Sequence, residues 1–281
     1  MQNPYSDHLS LLAVKAAVKA GEKVLQIYNG EYTTTFKADE SPLTTADISA
    51  HECIVEHLAE TGFPVLSEEG RNIPWETRRM WHYYWLVDPL DGTKEFVNRN
   101  GEFTVNIALI ANHKPVIGVV YVPVSGMLYV GNEENGSWSL DCFNHPLDQN
   151  ATALASLLED GKKLPLKKAQ KTVTILASRS HLTPETSKII ERIKAEFAGS
   201  KIINAGSSLK FCRLAEGSAQ YYPRFSPTME WDTAAGHAVA ANSGIVVNAW
   251  PEMSPLQYNT KESLLNPWFF AFKEGMPDFV E

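Results

Sequence analysis

The chain reads as an α/β (α+β) protein built in two halves, and three observations carry that reading. Two stretches with helical apolar spacing open the sequence. A block of short β-rich runs follows, two of them joined by a hairpin-like turn. The remainder alternates strand and helix. A Rossmann dehydrogenase is not supported, because no GxGxxG follows a strand.

From about Asp7 to Tyr28, the residues Leu9, Leu12, Ala13, Ala16, Ala17, Ala20, Val24 and Ile27 recur at helical spacing and predict a long amphipathic helix. Gly21 inside it costs about 1 kcal/mol relative to Ala. A second helix is expected from near Ala46 to about Glu60, with Ile48, Cys53, Val55 and Leu58 as its apolar positions. Between Gly62 and about Ser139 the strand-like runs are Val65-Leu66, Tyr83–Val87, Thr104–Ile110, Val116–Tyr121 and Met127–Val130. Asn112-His113-Lys114-Pro115 joins two of these as a turn, so part of the sheet should be antiparallel. Asn, Asp, Lys and Gln then collect over Asp141–Lys171 around a short helix at Ala153–Leu158, and the domain boundary is placed there, giving residues 1–160 and 161–281. Strands at Val173–Ala177, Lys201–Ile203, Ala219–Tyr222 and Ile245–Val247 then alternate with helices at Pro184–Phe197, Ser207–Ala215 and Asp232–Asn242.

With 281 residues, 44% hydrophobic and 21% charged, the composition is that of a globular protein of one large domain or two coupled ones. A net charge of −8 without any Lys/Arg-rich block argues against a nucleic-acid polymer as partner; a small phosphorylated anion stays compatible where local cations offset the field. Cys53, Cys142 and Cys212 are odd in number and form no CxxC pair, which disfavours a disulfide framework or a zinc site and fits a reducing compartment. The N-terminus lacks a signal pattern, and no run approaches ~18 apolar residues. No transmembrane segment and a cytoplasmic location are therefore expected.

Chemistry concentrates in three acidic segments. Asp88-Pro89-Leu90-Asp91-Gly92-Thr93 follows the apolar run Tyr83–Val87, so two carboxylates three positions apart share one strand end. Two such charges in one small volume are unfavourable unless a cation neutralises them. Carboxylate oxygens with no nearby Cys or His favour Mg²⁺ before Zn²⁺. Gly92 permits close backbone approach to a ligand, and Thr93 adds a hydroxyl and, at a helix start, free amides for a phosphate oxygen. Pro64-Val65-Leu66-Ser67-Glu68-Glu69-Gly70 is a second acidic strand end, and Asp232 in Met229–His237 opens a small-residue helix. Taken singly, Glu68 and Glu69 fit a solvated turn and Asp91 and Asp232 fit helix N-caps.

Together VLSEEG, WLVDPLDGT and EWDTAAGHAV resemble the lithium-sensitive, Mg²⁺-dependent phosphatases of the inositol monophosphatase superfamily. The flanking text Lys37–Asp47, DGTKEFVNRNGEFTVNIALI and Gly206–Cys212 is similar to its bacterial 3′(2′),5′-bisphosphate nucleotidase branch, and the likeness runs from the first helix to about Val247. The resemblance implies a layered αβαβα sandwich, with a largely antiparallel sheet in the first half, a smaller mixed sheet in the second and the site between them. It implies two or three Mg²⁺ ions, with Asp88 bridging, Glu68 and the Leu90 carbonyl completing one site, and Asp91 with Asp232 forming another. It assigns water activation to Thr93 with Asp47 behind it, although Asp47 is equally placed as a first-turn acid. Glu69 is left between a third metal, the active water and solvent.

For a second phosphate the candidates are Arg179 and His181 after a strand end, Ser207, Ser208 and Lys210 at a helix start, and Arg224. Of these the nucleotidase likeness favours Ser207, Lys210 and Arg224, then His181, with Gly92, Thr93 and Asp232 completing the substrate contacts. His237 and Trp231 read as packing residues. The implied activity is hydrolysis of adenosine 3′,5′-bisphosphate, and of its sulfated relative, to remove the 3′-phosphate in sulfur metabolism. The alternatives are an inositol or sugar monophosphatase and a non-catalytic phosphonucleotide sensor. Both monomer and homodimer remain open, as does peripheral attachment to the cytoplasmic face of a membrane.

Overall fold

Why the chain makes five layers is visible in which elements bury both faces. The computed structural model describes residues 6–30, 34–36, 42–166, 172–177 and 183–279. Helix α1 (Ser6–Tyr28) leads through a small antiparallel ribbon, β1 (Thr34–Phe36) and β2 (Pro42–Thr44), into α2 (Thr45–Leu58), whose last turn tightens to a 3-10 turn at Ala59–Thr61. Strand β3 (Val65–Ser67), helix α3 (Trp75–Arg78), β4 (Tyr83–Asp91) and α4 (Thr93–Val97) follow. Then come β5 (Thr104–Ala111), β6 (Lys114–Val122), β7 (Met127–Asn132), β8 (Gly136–Asp141), α5 (Leu154–Leu157) and β9 (Lys162–Lys163). Strands β3 to β9 form one seven-stranded sheet in sequence order, antiparallel except for the parallel β3–β4 pair.

The second sheet takes β10 (Thr174–Ala177), β11 (Lys201–Asn204), β12 (Tyr221–Arg224), β13 (Ile245–Ala249) and β14 (Phe269–Lys273) in the order β11-β10-β12-β14-β13. Its β11–β10–β12 part is parallel and its β14 pairings are antiparallel. Helices α6 (Pro184–Glu196), α7 (Leu209–Ala215) and α8 (Trp231–Ala241) connect them. One core joins α1 and α2 to the large sheet, a second fills the space around α7 and α8 between the sheets, and a third lies under α6. The order is therefore helix, sheet, helix, sheet, helix, as the resemblance implies.

Helix α8 is made of small residues because the large sheet comes so close to it. A Cβ on Gly118 of β6 would lie 2.2 Å from the Ala235 carbonyl oxygen and 2.7 Å from the Ala238 Cβ. Gly21, a weak point of α1 by propensity, is where the Tyr121 ring packs: a Cβ there would sit 2.4 Å from the ring. Five strands escape the sequence reading, β1, β2, β8, β9 and β14, and two of them have a visible reason. In β8, Ser137 and Ser139 are buried polar residues, and the Ser137 hydroxyl donates to the Val239 carbonyl at 2.6 Å, so the apolar alternation is masked. Strand β14 lies beyond Val247, where that reading stops, and sits between β12 and β13 with both faces covered. All three cysteines are buried and free of disulfide bonds. Among the described residues, no helix is long and apolar enough to cross a membrane.

Candidate active site

Sheet register brings the first two acidic segments together. Strand β4 does not stop at Val87 as the sequence predicts; it continues to Asp91, with Asp88 opposite Asn106 and an irregularity before Asp91 pairs with Thr104. Because β3 runs parallel beside β4, with Ser67 opposite Val87, Glu68 emerges next to Asp88, and its amide donates to the Val87 carbonyl at 3.1 Å. The first turn of α8 delivers Asp232 from the other side. One carboxylate oxygen from each of Glu68, Asp88 and Asp232 lies within 4.8 Å of the other two.

Asp91 stands beside this group, held by the second half of the chain. Its Oδ2 accepts from the Ser208 amide at 2.7 Å, from the Ser207 hydroxyl in a short bond, and from the Asn106 amide group at 3.3 Å. Asp232 is fixed through the Met229 amide, which donates to its Oδ2 at 2.8 Å, and the Ser208 hydroxyl donates to its carbonyl at 2.6 Å. Behind it, buried Glu230 accepts from the Asn259 amide at 2.8 Å, and Asn259 in turn meets the buried Arg78 guanidinium.

The electrostatics show what this arrangement favours. Burial, then the charges of Glu68, Asp91 and Asp232, push the Asp88 carboxyl well above the ordinary carboxylate range. Burial and the neighbouring Asp91 raise Asp232 to about 8. Hard oxygen donors that repel each other this strongly suit a divalent cation without soft ligands.

A consequence for stability follows from these directions. Protons held by Asp88 and Asp232 in the folded state leave the unfolded chain near the ordinary value of 3.8, so their stabilisation is present at low pH and lost as pH rises, for Asp232 towards about 8. His237, drawn down to about 4 by burial beside the Tyr258 hydroxyl, acts in the opposite sense, but its contribution is complete above its ordinary 6.5. Lys210, lowered to about 8 mainly by burial, adds stability only above that value. Between pH 6.5 and 8 the carboxylates therefore dominate. Cation-free protein should lose thermal stability across this window, by up to about 1.4 kcal/mol per pH unit for each proton released. Saturating Mg²⁺ should flatten the loss. Melting curves at several pH values, with chelator or Mg²⁺, measure it; cation-free stability that stayed level or rose would contradict the site electrostatics.

Thr93 opens α4 directly after Gly92, whose φ of 92° is a left-handed turn that glycine adopts without strain. The Thr93 hydroxyl lies 3.3 Å from Asp47 Oδ1 and 3.3 Å from the Leu90 carbonyl oxygen. Asp47 is buried, and its Oδ2 accepts from the Thr44 amide at 2.8 Å and the Thr44 hydroxyl at 2.6 Å, the capping box of α2. One side chain thus does two things: it caps α2 and faces the Thr93 hydroxyl.

A cavity runs from Asp91 and Asp232 past Gly92 and Ser207 to Lys210 and Arg224. Helix α7 starts at Leu209, later than the sequence suggests, because Ser207 adopts a left-handed φ of 48°. The Lys210 ammonium donates to the carbonyls of Ala205 at 3.0 Å and Ser207 at 2.9 Å, so it braces the loop as well as lining the cavity. Arg224 donates to the Pro227 carbonyl at 3.1 Å, and its buried Nε finds no hydrogen-bond partner among the described residues. Trp231 packs against the core between the sheets. Arg179 and His181 lie outside the described residues.

Sequence reasoning missed Thr104 and Asn106. The Thr104 hydroxyl donates to Asn106 Oδ1 at 2.9 Å and lies 2.6 Å from the Ser207 hydroxyl, and the Asn106 amide also reaches the Ser208 hydroxyl at 3.1 Å. Two polar residues at period two in the apolar run Thr104–Ala111 were the available signal.

Comparison with known proteins bears on the family and the fold. A sequence profile of the inositol monophosphatase family matches residues 6–271. The chain is similar to the 3'(2'),5'-bisphosphate nucleotidase CysQ of Shigella flexneri, 45% identical over 257 residues covering 90% of this chain and 95% of that one. Its fold superposes on the crystal structure of CysQ from Bacteroides thetaiotaomicron with a TM-score of 0.89 at 49% identity, covering 98% of this chain and 100% of the other. The extragenic suppressor protein suhB of Bartonella henselae shares the fold, with a TM-score of 0.70 at 22% identity over 95% of this chain and 94% of that one.

Proposed function

We propose, from the premise that this chain belongs to the inositol monophosphatase family, that it is a Mg²⁺-dependent 3′(2′),5′-bisphosphate nucleotidase hydrolysing adenosine 3′,5′-bisphosphate to AMP and phosphate. The observation that carries the substrate is the cavity joining the acidic cluster to Arg224 and Lys210, a second cationic position that a monophosphate would leave unused. The nucleotidase names of its relatives support the same reading.

Glu68, Asp88, Asp91, Asp232 and the Leu90 carbonyl would hold two or three Mg²⁺ ions. Bound Mg²⁺ supplies charge for the phosphoryl group and the leaving oxygen and lowers the pKa of water. Thr93 orients that water through its hydroxyl while Asp47 fixes the hydroxyl's rotamer, and Gly92 and Thr93 offer their backbone to the reacting phosphate. Arg224 takes the phosphate that is not cleaved. Lys210 adds charge there and keeps the Ser207 loop in place. On this reading residues 1–160 supply most of the cation site, residues 161–281 supply Asp232 and the nucleotide side, and the enzyme works in the cytoplasm.

The test is kcat/KM for adenosine 3′,5′-bisphosphate and inositol 1-phosphate with Mg²⁺, with and without millimolar lithium. The bisphosphate should be preferred, and lithium should inhibit. Arg224→Ala should reduce kcat/KM on the bisphosphate by roughly ten- to two-hundred-fold, the value of a charge-assisted phosphate contact, and affect the monophosphate far less. A wild-type preference for inositol 1-phosphate would overturn the nucleotidase assignment.

A further inference from the structure

One carboxylate oxygen of Asp91 takes every protein donor that reaches this side chain in the described residues. Oδ2 accepts from the Ser207 hydroxyl, the Ser208 amide and the Asn106 amide group. The donors come from separate parts of the fold: Asn106 from β5 in the large sheet, Ser207 and Ser208 from the loop between β11 and α7. A carboxylate oxygen has about two lone-pair directions, so three donors leave it little capacity for a cation. Oδ1 carries no such bonds and is the oxygen left for one.

We propose that Asn106 and Ser207 are positioning residues for Asp91, which together with the Ser208 amide hold Oδ2 so that Oδ1 is presented to the cation site. The inference rests on the cation-binding reading above. The clamp is itself braced. Thr104 lies within reach of both Asn106 Oδ1 and the Ser207 hydroxyl, its one hydrogen serving either of them, the Glu102 carboxylate accepts from the Gly206 amide at 3.0 Å, and Lys210 ties down the Ala205 and Ser207 carbonyls. The left-handed backbone at Ser207 turns its hydroxyl and the next amide onto the same oxygen. The loop that lines the substrate cavity thereby sets the orientation of an acid contributed by the other sheet.

Residues that orient ligands without touching the metal typically cost ~10- to 100-fold in metal affinity when removed. Asn106→Leu keeps the volume and deletes the donor; Ser207→Ala removes the other side-chain donor and serves as an independent variant should the first fail to fold. Mg²⁺ binding is measured by calorimetry on substrate-free protein, beside the melting temperature with chelator and the Mg²⁺ dependence of kcat. Each variant should bind Mg²⁺ at least about ten-fold more weakly, keep a near-native chelator melting temperature, and recover much of its kcat at high Mg²⁺. The double variant should lose less than the product of the single losses, because both donors serve one oxygen. Native Mg²⁺ affinity in folded Asn106→Leu and Ser207→Ala would overturn the clamp while leaving the phosphatase assignment intact. Failure of the wild type to bind Mg²⁺ would instead overturn the cation site on which the clamp depends.

Discussion

Asp88→Asn is expected to reduce turnover on the order of a thousand-fold or more, the several kcal/mol of transition-state stabilisation that bound cations supply, while the protein stays folded. The side chain is 1% exposed and sits among Glu68, Asp91 and Asp232. Asparagine keeps its volume, and its carbonyl oxygen can still accept from the Leu90 amide, which Asp88 Oδ1 receives at 3.1 Å. What disappears is the acid at the centre of the cluster, and with it the cost of either charging it or keeping it protonated there. Cation-free variant should therefore melt higher than cation-free wild type near pH 8, where the native carboxylates repel most. Relief of about 1 kcal/mol would raise the midpoint by roughly 2–4 °C in a chain of this size class. Mg²⁺ should then stabilise the variant less than it stabilises the wild type. Activity assays and melting curves with and without Mg²⁺ measure all three effects. Near-native turnover at ordinary Mg²⁺ would show that Asp88 is not the central ligand.

The acidic cluster was legible in the sequence because its members sit at strand ends or helix starts, where local patterns place them. VLSEEG and WLVDPLDGT each announce a buried strand followed by acids, and parallel pairing of β3 with β4 does the rest. The five-layer order followed largely from resemblance; spacing alone gave two halves of different texture. What stayed hidden depends on partners distant in sequence. Arg78 meets Asn259 across 181 positions, and no local pattern announces that pairing. Asn106 looks like a flaw in an apolar strand until Asp91 and Ser208 are placed beside it. Lys210 read as a phosphate contact, but its bonds to two loop carbonyls show that much of its hydrogen-bonding capacity is spent within the protein. Helix starts were misjudged where a left-handed residue intervened, as at Ser207, because positive φ in a non-glycine residue is set by its bonding partners.

The other large effect concerns Thr93 and Asp47, proposed to orient the attacking water. Thr93→Ala should lower kcat by about 10²- to 10⁴-fold, the range for a positioned acid–base group, with KM changed far less. Thr93→Ser keeps the hydroxyl and should restore most of the rate. Asp47→Asn discriminates further. In the native protein Asp47 Oδ2 is occupied by the Thr44 amide and hydroxyl, and Oδ1 faces the Thr93 hydroxyl at 3.3 Å. An asparagine would keep its carbonyl oxygen on the two Thr44 donors, preserving the cap of α2, and turn its amide towards Thr93. The Thr93 oxygen would then accept a hydrogen bond where it now donates one, leaving less lone-pair capacity for water. A residue that only capped the helix would lose little in this exchange, since the cap survives. A residue that orients the Thr93 hydroxyl should lose most of the rate with a small change in melting temperature. Measured kcat, KM and melting temperature for the three variants at saturating Mg²⁺ separate these cases. Native kcat in Asp47→Asn would return Asp47 to the cap alone and leave Thr93 to act without it.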